Sequence, residues 1–343
     1  MELPTIFSSE TVFRQTFEQG LAELLCHGGI GEFILVCANA SNEKKIQQHL
    51  TAGINLCFEQ YEQQFSEHPE GVIDSAMDDD VSVYLHLEAL GIDNLEQSCT
   101  RKEHVWELQF NQMRSFRPER NAVKIIDSNR VDFDPEGFHF NKPFLRDETI
   151  WAGDLLGRKV DLLYNKFPFA ELHGLLVLER ELCKPQYLLQ EYHDYLWSLA
   201  EVLGNNLPGI GFGYNATGAF SSVNHLHFQM FSRAQPLVVE LDSWQHHGGA
   251  HEYPAHCEVF DDVSEGWKYI EELHAANITY NLLYRPGRLY CFPRKFQGTF
   301  QHAGWTTGFT WIEMAGEILV PKFKRYEVLT AEDIEAEFEK LRL

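Results

Sequence analysis

Within the stretch "HLHFQMF", residues 225–231, polar and apolar side chains alternate strictly from His225 to Met230. On a strand, every second side chain points to the same face. Leu226, Phe228 and Met230 would therefore pack on a core, while His225, His227 and Gln229 would present imidazole, imidazole and amide on the opposite face. Burying such a row costs free energy unless each group finds a hydrogen-bond partner or a ligand. Three readings follow from the pattern alone: an exposed strand face, a metal site short of its third or fourth ligand, or nucleophilic chemistry at phosphorus.

The surrounding patterns place this strand in an α+β unit built on a largely antiparallel sheet. "HVWELQFNQMR", "RKVDLLYNKF" and "HGLLVLER" read as strands, and "PQYLLQEYHDYLWSLAEVLGNN" reads as a helix ended by Gly204 and Asn205. The strand "GIGFGYN" and the residue 225–231 strand follow. A similar order recurs more weakly after residue 260: "DDVSEGWKYIEELHAAN" as a helix, "ITYNLLYR" and "GRLYCFPR" as a strand pair, "TWIEMAGEILVP" as a further strand. That recurrence suggests an internal duplication. A last helix starts at "TAED", where Thr330 and Asp333 have capping-box spacing.

Upstream, "SNEKKIQQHLTAGINLCFEQYEQQF" has helical spacing at Ile46, Leu50, Ile54, Cys57 and Phe58 after Ser41 as a cap, with Gly53 weakening the pattern. The acid triplet Asp78, Asp79 and Asp80 reads as a solvated helix start or loop, and this region is expected to carry no chemistry. The resulting division is an N-terminal, mainly helical segment (1–104), a half carrying the 225–231 strand (105–240) and a second half (241–343).

The 343 residues carry 51 acids against 28 bases, a net charge of −23. A polyanion would meet repulsion over most of this surface, which argues against nucleic acid and anionic membranes as partners and leaves small phosphate-bearing ligands, held locally. Seven scattered cysteines without a C-x-x-C pair point to a reducing compartment. With neither a signal-like start nor a membrane-length apolar run, the expectation is a cytoplasmic protein.

The context favours phosphorus chemistry. "GYNATGAFSSVN" places Tyr214, Asn215, Gly218, Ser221 and Ser222 just before the strand, a composition suited to holding an anion. Farther back, "YNKFPFAELHGLLVLE" sets Asn165 and His173 on either side of a Pro-containing connection. Together with "HLHFQ", these segments resemble the histidine triad superfamily, with Gln229 in the third triad position as in its transferase branch. "YNATGAFSSVNHLHFQ" is most similar to the GDP-hexose phosphorylases (GDP-L-galactose and GDP-D-glucose phosphorylases). "QFNQMRSFRP", "FHFNKPFLRDE", "YNLLYRPGRLYCFPRK" and "WIEMAGEILV" agree in order. The resemblance covers about residues 105 to 330, is specific at Asn215 to Gln229 and looser elsewhere, and leaves residues 30 to 100 as an insertion.

The resemblance implies a HIT-like, galactose-1-phosphate uridylyltransferase-like fold with a degenerate second half. It also implies that His227 attacks the α-phosphorus of a nucleoside diphosphate hexose, GDP-hexose favoured. A nucleotidyl-histidine forms, hexose 1-phosphate leaves, and inorganic phosphate then takes the nucleotide. His225 would orient the site and Gln229 would hold a non-bridging oxygen. An amide cannot act as a general acid, so the leaving group must depart without a proton from position 229, which suits a phosphate.

Asn215 with the Gly218 to Ser222 backbone is the candidate phosphate cradle. Arg114, Arg117 and Lys166 are candidate cations, although a structural salt bridge is the commoner role for each, and Asn165 is a candidate ribose contact or turn residue. No cofactor is expected. Some uridylyltransferases bind zinc through a C-x-x-C pair and the first motif histidine; lacking that pair, the chain is expected to hold no metal at His225. "WQHHGGAHEYPAH" (His246, His247, His251, His256) reads as a Gly-rich loop of exposed histidines. A dinucleoside polyphosphate (diadenosine tetraphosphate) phosphorylase is the nearest alternative, and a non-catalytic nucleotide-binding protein a third. Base, sugar and assembly stay open, a homodimer included.

Overall fold

The structure is a computed structural model that describes residues 3–67, 78–117 and 125–343. Four helices come first: α1 (Glu10–His27), α2 (Ile30–Asn42), α3 (Lys44–Glu67) and α4 (Asp78–Leu90). α1 and α3 are amphipathic, whereas α2 is apolar around most of its circumference and buries ten of its residues, from Ile30 to Ser41, between its neighbours. Ser41 is therefore not a cap: it lies in the last turn of α2, where its hydroxyl donates to Ala38 O at 3.0 Å. α3 runs unbroken through Gly53 and buries Ile46, Leu50, Ile54 and Phe58.

The remaining elements are β1 (Cys99–Glu103), β2 (Trp106–Phe110), α5 (Gln112–Ser115), β3 (Thr149–Leu155), β4 (Arg158–Tyr164), β5 (Glu171–Leu178), α6 (Gln190–Gly204), β6 (Ile210–Asn215) and β7 (His227–Ser232). They continue with β8 (Glu258–Phe260), α7 (Val263–Ala275), β9 (Thr279–Arg285), β10 (Arg288–Arg294), α8 (Trp311–Met314), β11 (Glu317–Leu319), α9 (Phe323–Tyr326) and α10 (Ala331–Leu341). The protein is thus α+β. Eight strands form one sheet in the order β3-β4-β5-β7-β6-β9-β10-β8, every neighbouring pair antiparallel. β1, β2 and β11 form a second, smaller sheet, with β11 parallel to β2.

The segment from Thr310 to Pro321, expected as one strand, splits into a helical turn and the short strand β11. Thr310 caps that turn: its N–H and hydroxyl both donate to Glu313 Oε2, at 2.8 and 2.6 Å. The last helix starts as its sequence indicates, with Thr330 Oγ1 accepting from the Asp333 N–H at 3.3 Å. β3 was not anticipated, because "TIWAGDL" lacks a clean alternation of burial.

The large sheet has two unlike faces. Leu162, Leu176, Phe212, Phe228, Met230 and Tyr284 join the core beneath α1, α2 and α6. On the other side, Leu163 and Val177 belong to a small cluster with Phe140 and Val223, and Phe231 and Leu283 to a core built on α8 and α10. A cavity opens between those two packed zones, floored by β4, β5, β6 and β7.

A cavity floored by His227 and two oriented amides

His227 is the first residue of β7, is 5% exposed and lines the cavity. Its Nδ1 lies 2.7 Å from the His225 carbonyl oxygen. A carbonyl only accepts, so Nδ1 carries the proton and the Nε2 lone pair is left free. Burial pushes the His227 pKa down to about 4, with the bond to His225 opposing it. The imidazole is therefore neutral at pH 7, the form a nucleophile requires.

His225 plays its part through the backbone. It precedes β7, so the shared face expected for residues 225, 227 and 229 holds only for His227 and Gln229. The His225 ring turns away from the cavity, fully buried against Phe133 and Phe140, and its Nδ1 accepts from the Phe140 N–H at 3.2 Å. Burial, then the neighbouring His227, holds its pKa down to about 4.

Two amides sit beside His227 on the cavity wall, each fixed by its oxygen. Gln229 Oε1 accepts from Trp311 Nε1 at 2.9 Å and lies 3.2 Å from His173 Nε2. His173 Nδ1 accepts from the Phe169 N–H at 3.3 Å, and its Nε2 sits between Gln229 Oε1 and Asn165 Nδ2, the latter 3.1 Å away. Asn215 Oδ1 accepts from the Trp311 N–H at 2.8 Å and from Asn281 Nδ2 at 2.7 Å. With both oxygens engaged, each amide turns its NH2 group to the cavity, where it can donate to an anion.

Trp311 thus orients both donors, one through its backbone and one through its indole. It is fully buried and stacks on Phe231 with ring centroids 4.8 Å apart. Its ring lies so close to β6 that a Cβ on Gly213 would fall 2.1 Å from it, so residue 213 must be glycine. Behind Asn281, Arg294 donates through NH1 to Asn281 Oδ1 at 3.0 Å and to Phe309 O. Burial lowers Arg294 to about 9, with Glu313 and Glu337 opposing, so it stays charged. A hydrogen-bonded path leads from this cation through Asn281 to Asn215.

β6 and β7 stop pairing at Gly213 and Gln229. The Gln186 side chain takes over from there. It accepts from the His227 N–H at 3.0 Å and donates to Asn215 O at 2.9 Å and His227 O at 3.2 Å. Gln186, Trp311, Asn281 and Arg294 were not anticipated as site residues, because each comes from a segment remote in sequence and none is chemically reactive.

The other expected residues divide. Ser222, Asn165, Lys166, Arg114 and Arg117 line the cavity, but Gly218 and Ser221 do not. The backbone cradle expected at residues 218–222 is partly consumed internally: the Ala219 N–H donates to Ala216 O and the Phe220 N–H to Gln297 Oε1. Ser221 donates to Val223 O. Lys166 Nζ pairs with Asp80 Oδ1 at 2.7 Å. Arg114 donates to Phe167 O and lies over the Phe169 ring; burial, then the nearby Arg117, lowers it to about 10, leaving it charged. Asn165 Oδ1 accepts from the Phe167 N–H at 3.1 Å, closing the turn after β4.

The acid triplet starts a helix, one of its two readings, but is not wholly solvated, since Asp80 is buried. It opens α4, and Asp79 and Asp80 line the cavity, so the N-terminal segment contributes directly to the site; the Asp78 side chain lies outside the described residues, as does Pro118. In the loop of residues 244–256, His251 is exposed, but His246, His247 and His256 are half-buried and engaged with Val239 O, Tyr290 and Glu258. Among the described residues, no three His, Cys, Asp or Glu side chains are arranged to hold a metal ion. Nor is any described helix long and apolar enough to cross a membrane.

Residues 92–231 match the family model described as the GDPGP1-like N-terminal domain, a span that ends on β7 and contains Asn165, Asn215 and His227. The chain is 33% identical to GDP-D-glucose phosphorylase 1 of Danio rerio over 149 residues, 43% of this chain and 42% of that protein. It is 34% identical to GDP-D-glucose phosphorylase 1 of Homo sapiens over 129 residues, 36% of this chain and 33% of that protein. The similarity therefore spans less than half the length of these relatives. Among solved structures, the yeast Ap4A phosphorylase Apa2 is similar with a TM-score of 0.49 at 16% identity, covering 78% of this chain and 96% of that one.

Proposed function

We propose that this cavity cleaves a nucleoside diphosphate hexose, GDP-hexose favoured, with inorganic phosphate through a nucleotidyl-His227 intermediate. His227 Nε2 attacks the α-phosphorus; the bond to the bridging oxygen breaks and hexose 1-phosphate leaves with that electron pair. A phosphate oxygen then attacks the same phosphorus, the N–P bond breaks, and nucleoside diphosphate departs. The cycle needs no redox partner and no cofactor.

The observation that carries this reading is the 2.7 Å bond from His227 Nδ1 to the His225 carbonyl, which holds the Nε2 lone pair free on the cavity floor. As phosphorus is attacked, positive charge grows on the imidazole and the same bond shortens the path for stabilising it. The NH2 groups of Gln229 and Asn215 are placed to take the non-bridging oxygens, and Arg114 supplies a cation in an acidic chain. Splitting one displacement into two lets two unlike phosphates use one site in turn. The relatives named GDP-D-glucose phosphorylase 1 support this choice of substrate.

Incubation with phosphate and either GDP-glucose or diadenosine tetraphosphate tests the proposal: new GDP is expected from the first. New ADP from the second alone would replace it with a dinucleoside polyphosphate phosphorylase. If neither turns over while nucleotides bind, the cavity is a binding module and the proposal fails.

A further inference from the structure

Glu148 stands one residue before β3, is 5% exposed and lines the same cavity as His227. Its carboxylate takes part in no hydrogen bond with the described residues. A buried carboxyl left this way is costly, and the cost is recovered when a ligand brings donors. Burial pushes its pKa up to about 7, with Lys166 opposing and Glu32, Asp80 and Asp147 adding to the rise.

The neighbouring groups are held in place. Lys166 Nζ is 2.7 Å from Asp80 Oδ1, which occupies one of its three donors and leaves two. This pair is wedged against the first turn of α2: a Cβ on Gly31 would come within 2.8 Å of Asp80 Oδ2 and 3.2 Å of Lys166 Nζ. With Asp79 also on the wall, this end of the cavity repels phosphate and suits the uncharged part of a nucleotide. Phe138 and Phe144 on the same cavity offer ring faces for stacking.

We infer that Glu148 and Lys166 read a guanine base, the carboxylate accepting from N1–H and the 2-amino group and the ammonium donating to O6. This rests on the nucleotide-sugar reading above and deepens it. Adenine presents an acceptor at N1 where guanine presents a donor, so above about pH 8, where Glu148 is ionised, it would leave the carboxylate unpaired. Hypoxanthine keeps N1–H and O6 but lacks the 2-amino group.

Calorimetric titration of the whole chain with GDP, IDP and ADP tests the assignment. GDP is expected to bind roughly tenfold or more tightly than either of the others, the range of one charge-assisted hydrogen bond. Glu148→Gln should bring GDP to the affinity of IDP and leave ADP unchanged. Lys166→Met, which removes the O6 donor, should weaken GDP and IDP in parallel and spare ADP, an independent check should the first variant fold poorly. If Glu148→Gln weakens GDP and ADP equally, the carboxylate contacts ribose or supports the fold, and the inference is overturned. An unchanged GDP-to-IDP ratio overturns it too, while the phosphorylase reading stands. Absence of binding by all three nucleotides would remove that reading together with this one.

Discussion

Two parts of the large sheet follow the same order of elements and end in opposite roles. α6, β6 and β7 give a helix and two antiparallel strands, and so do α7, β9 and β10. The two units meet along β6 and β9, where Asn215 faces Asn281 in register. β6 and β7 are joined by a long connection that brings the His225 carbonyl beneath His227. β9 and β10 are joined by a tight turn at Pro286 and Gly287, and β10 ends in the buried Arg294. The first unit places the His227 imidazole on a cavity; the second supplies the cation and amide that hold the first unit's Asn215. The orientation of His227 depends on the connection between strands as much as on the strands themselves.

The comparison breaks most sharply at His227. His227→Asn should lower turnover by on the order of 10⁴ or more, the scale seen when a covalent nucleophile is removed. Its thermal midpoint should stay close to that of the parent, because a neutral buried imidazole is exchanged for a smaller amide. Turnover by this variant comparable to the parent's would rule out the nucleotidyl-His227 step.

Arg294→Met should give the opposite profile. It strips Asn281 Oδ1 and Phe309 O of a charged donor, a loss of about 2 kcal/mol by urea unfolding. Turnover measured on the folded fraction should fall by no more than about tenfold, since Asn281 still bonds Asn215. A variant of full stability would show that the second unit is not the support it is taken to be.

Trp311→Phe sharpens the link between the two. The ring can still stack on Phe231 and the backbone N–H still reaches Asn215, but Gln229 loses its indole donor. kcat should drop by about tenfold, the worth of one hydrogen bond to a group that must be held in place, with KM nearly unchanged. Gln229→Ala added to Trp311→Phe should cost little more than Gln229→Ala alone; full additivity would mean that Trp311 does not act through Gln229.

The smallest effect expected is with pH. An imidazole with its ordinary pKa near 6.5 would lose most of its reactive form by pH 5.5. With His227 held down to about 4, the neutral form persists, so kcat at saturating substrate should change by less than about twofold from pH 7.5 to 5.5 and fall only as pH approaches 4. An acid limb centred near 6.5 that persists in Glu148→Gln, which removes the carboxyl raised to about 7 on the same cavity, would mean that His227 is far better hydrated than its 5% exposure implies.

Much of this was legible in the chain. The period-2 pattern of residues 226–230 separated the core-facing Leu226, Phe228 and Met230 from His227 and Gln229, and all three apolar residues are buried. The helix before β6 and the strand pair after α7 were equally plain, because their apolar spacing is regular. The helical turn at Trp311 was not: "TWIEMAGEILV" is apolar enough for a strand, and only the Thr310–Glu313 cap and the demand of Asn215 for a donor bend it.

By itself, then, the sequence determined that His227 and Gln229 are the polar groups of β7 and that they share a face, since side-chain chemistry and alternation are local properties. Only the tertiary structure decided how those groups point. The tautomer of His227 depends on a carbonyl two residues back, and the direction of both amides depends on Trp311, about eighty residues or more downstream. Asp80 and Lys166, from a helix and the end of a strand with no shared pattern, meet only in the folded chain, where α4 brings Asp80 to the cavity wall beside Lys166. Orientation and charge pairing come from contacts between segments distant in the chain, and a linear pattern carries no record of them.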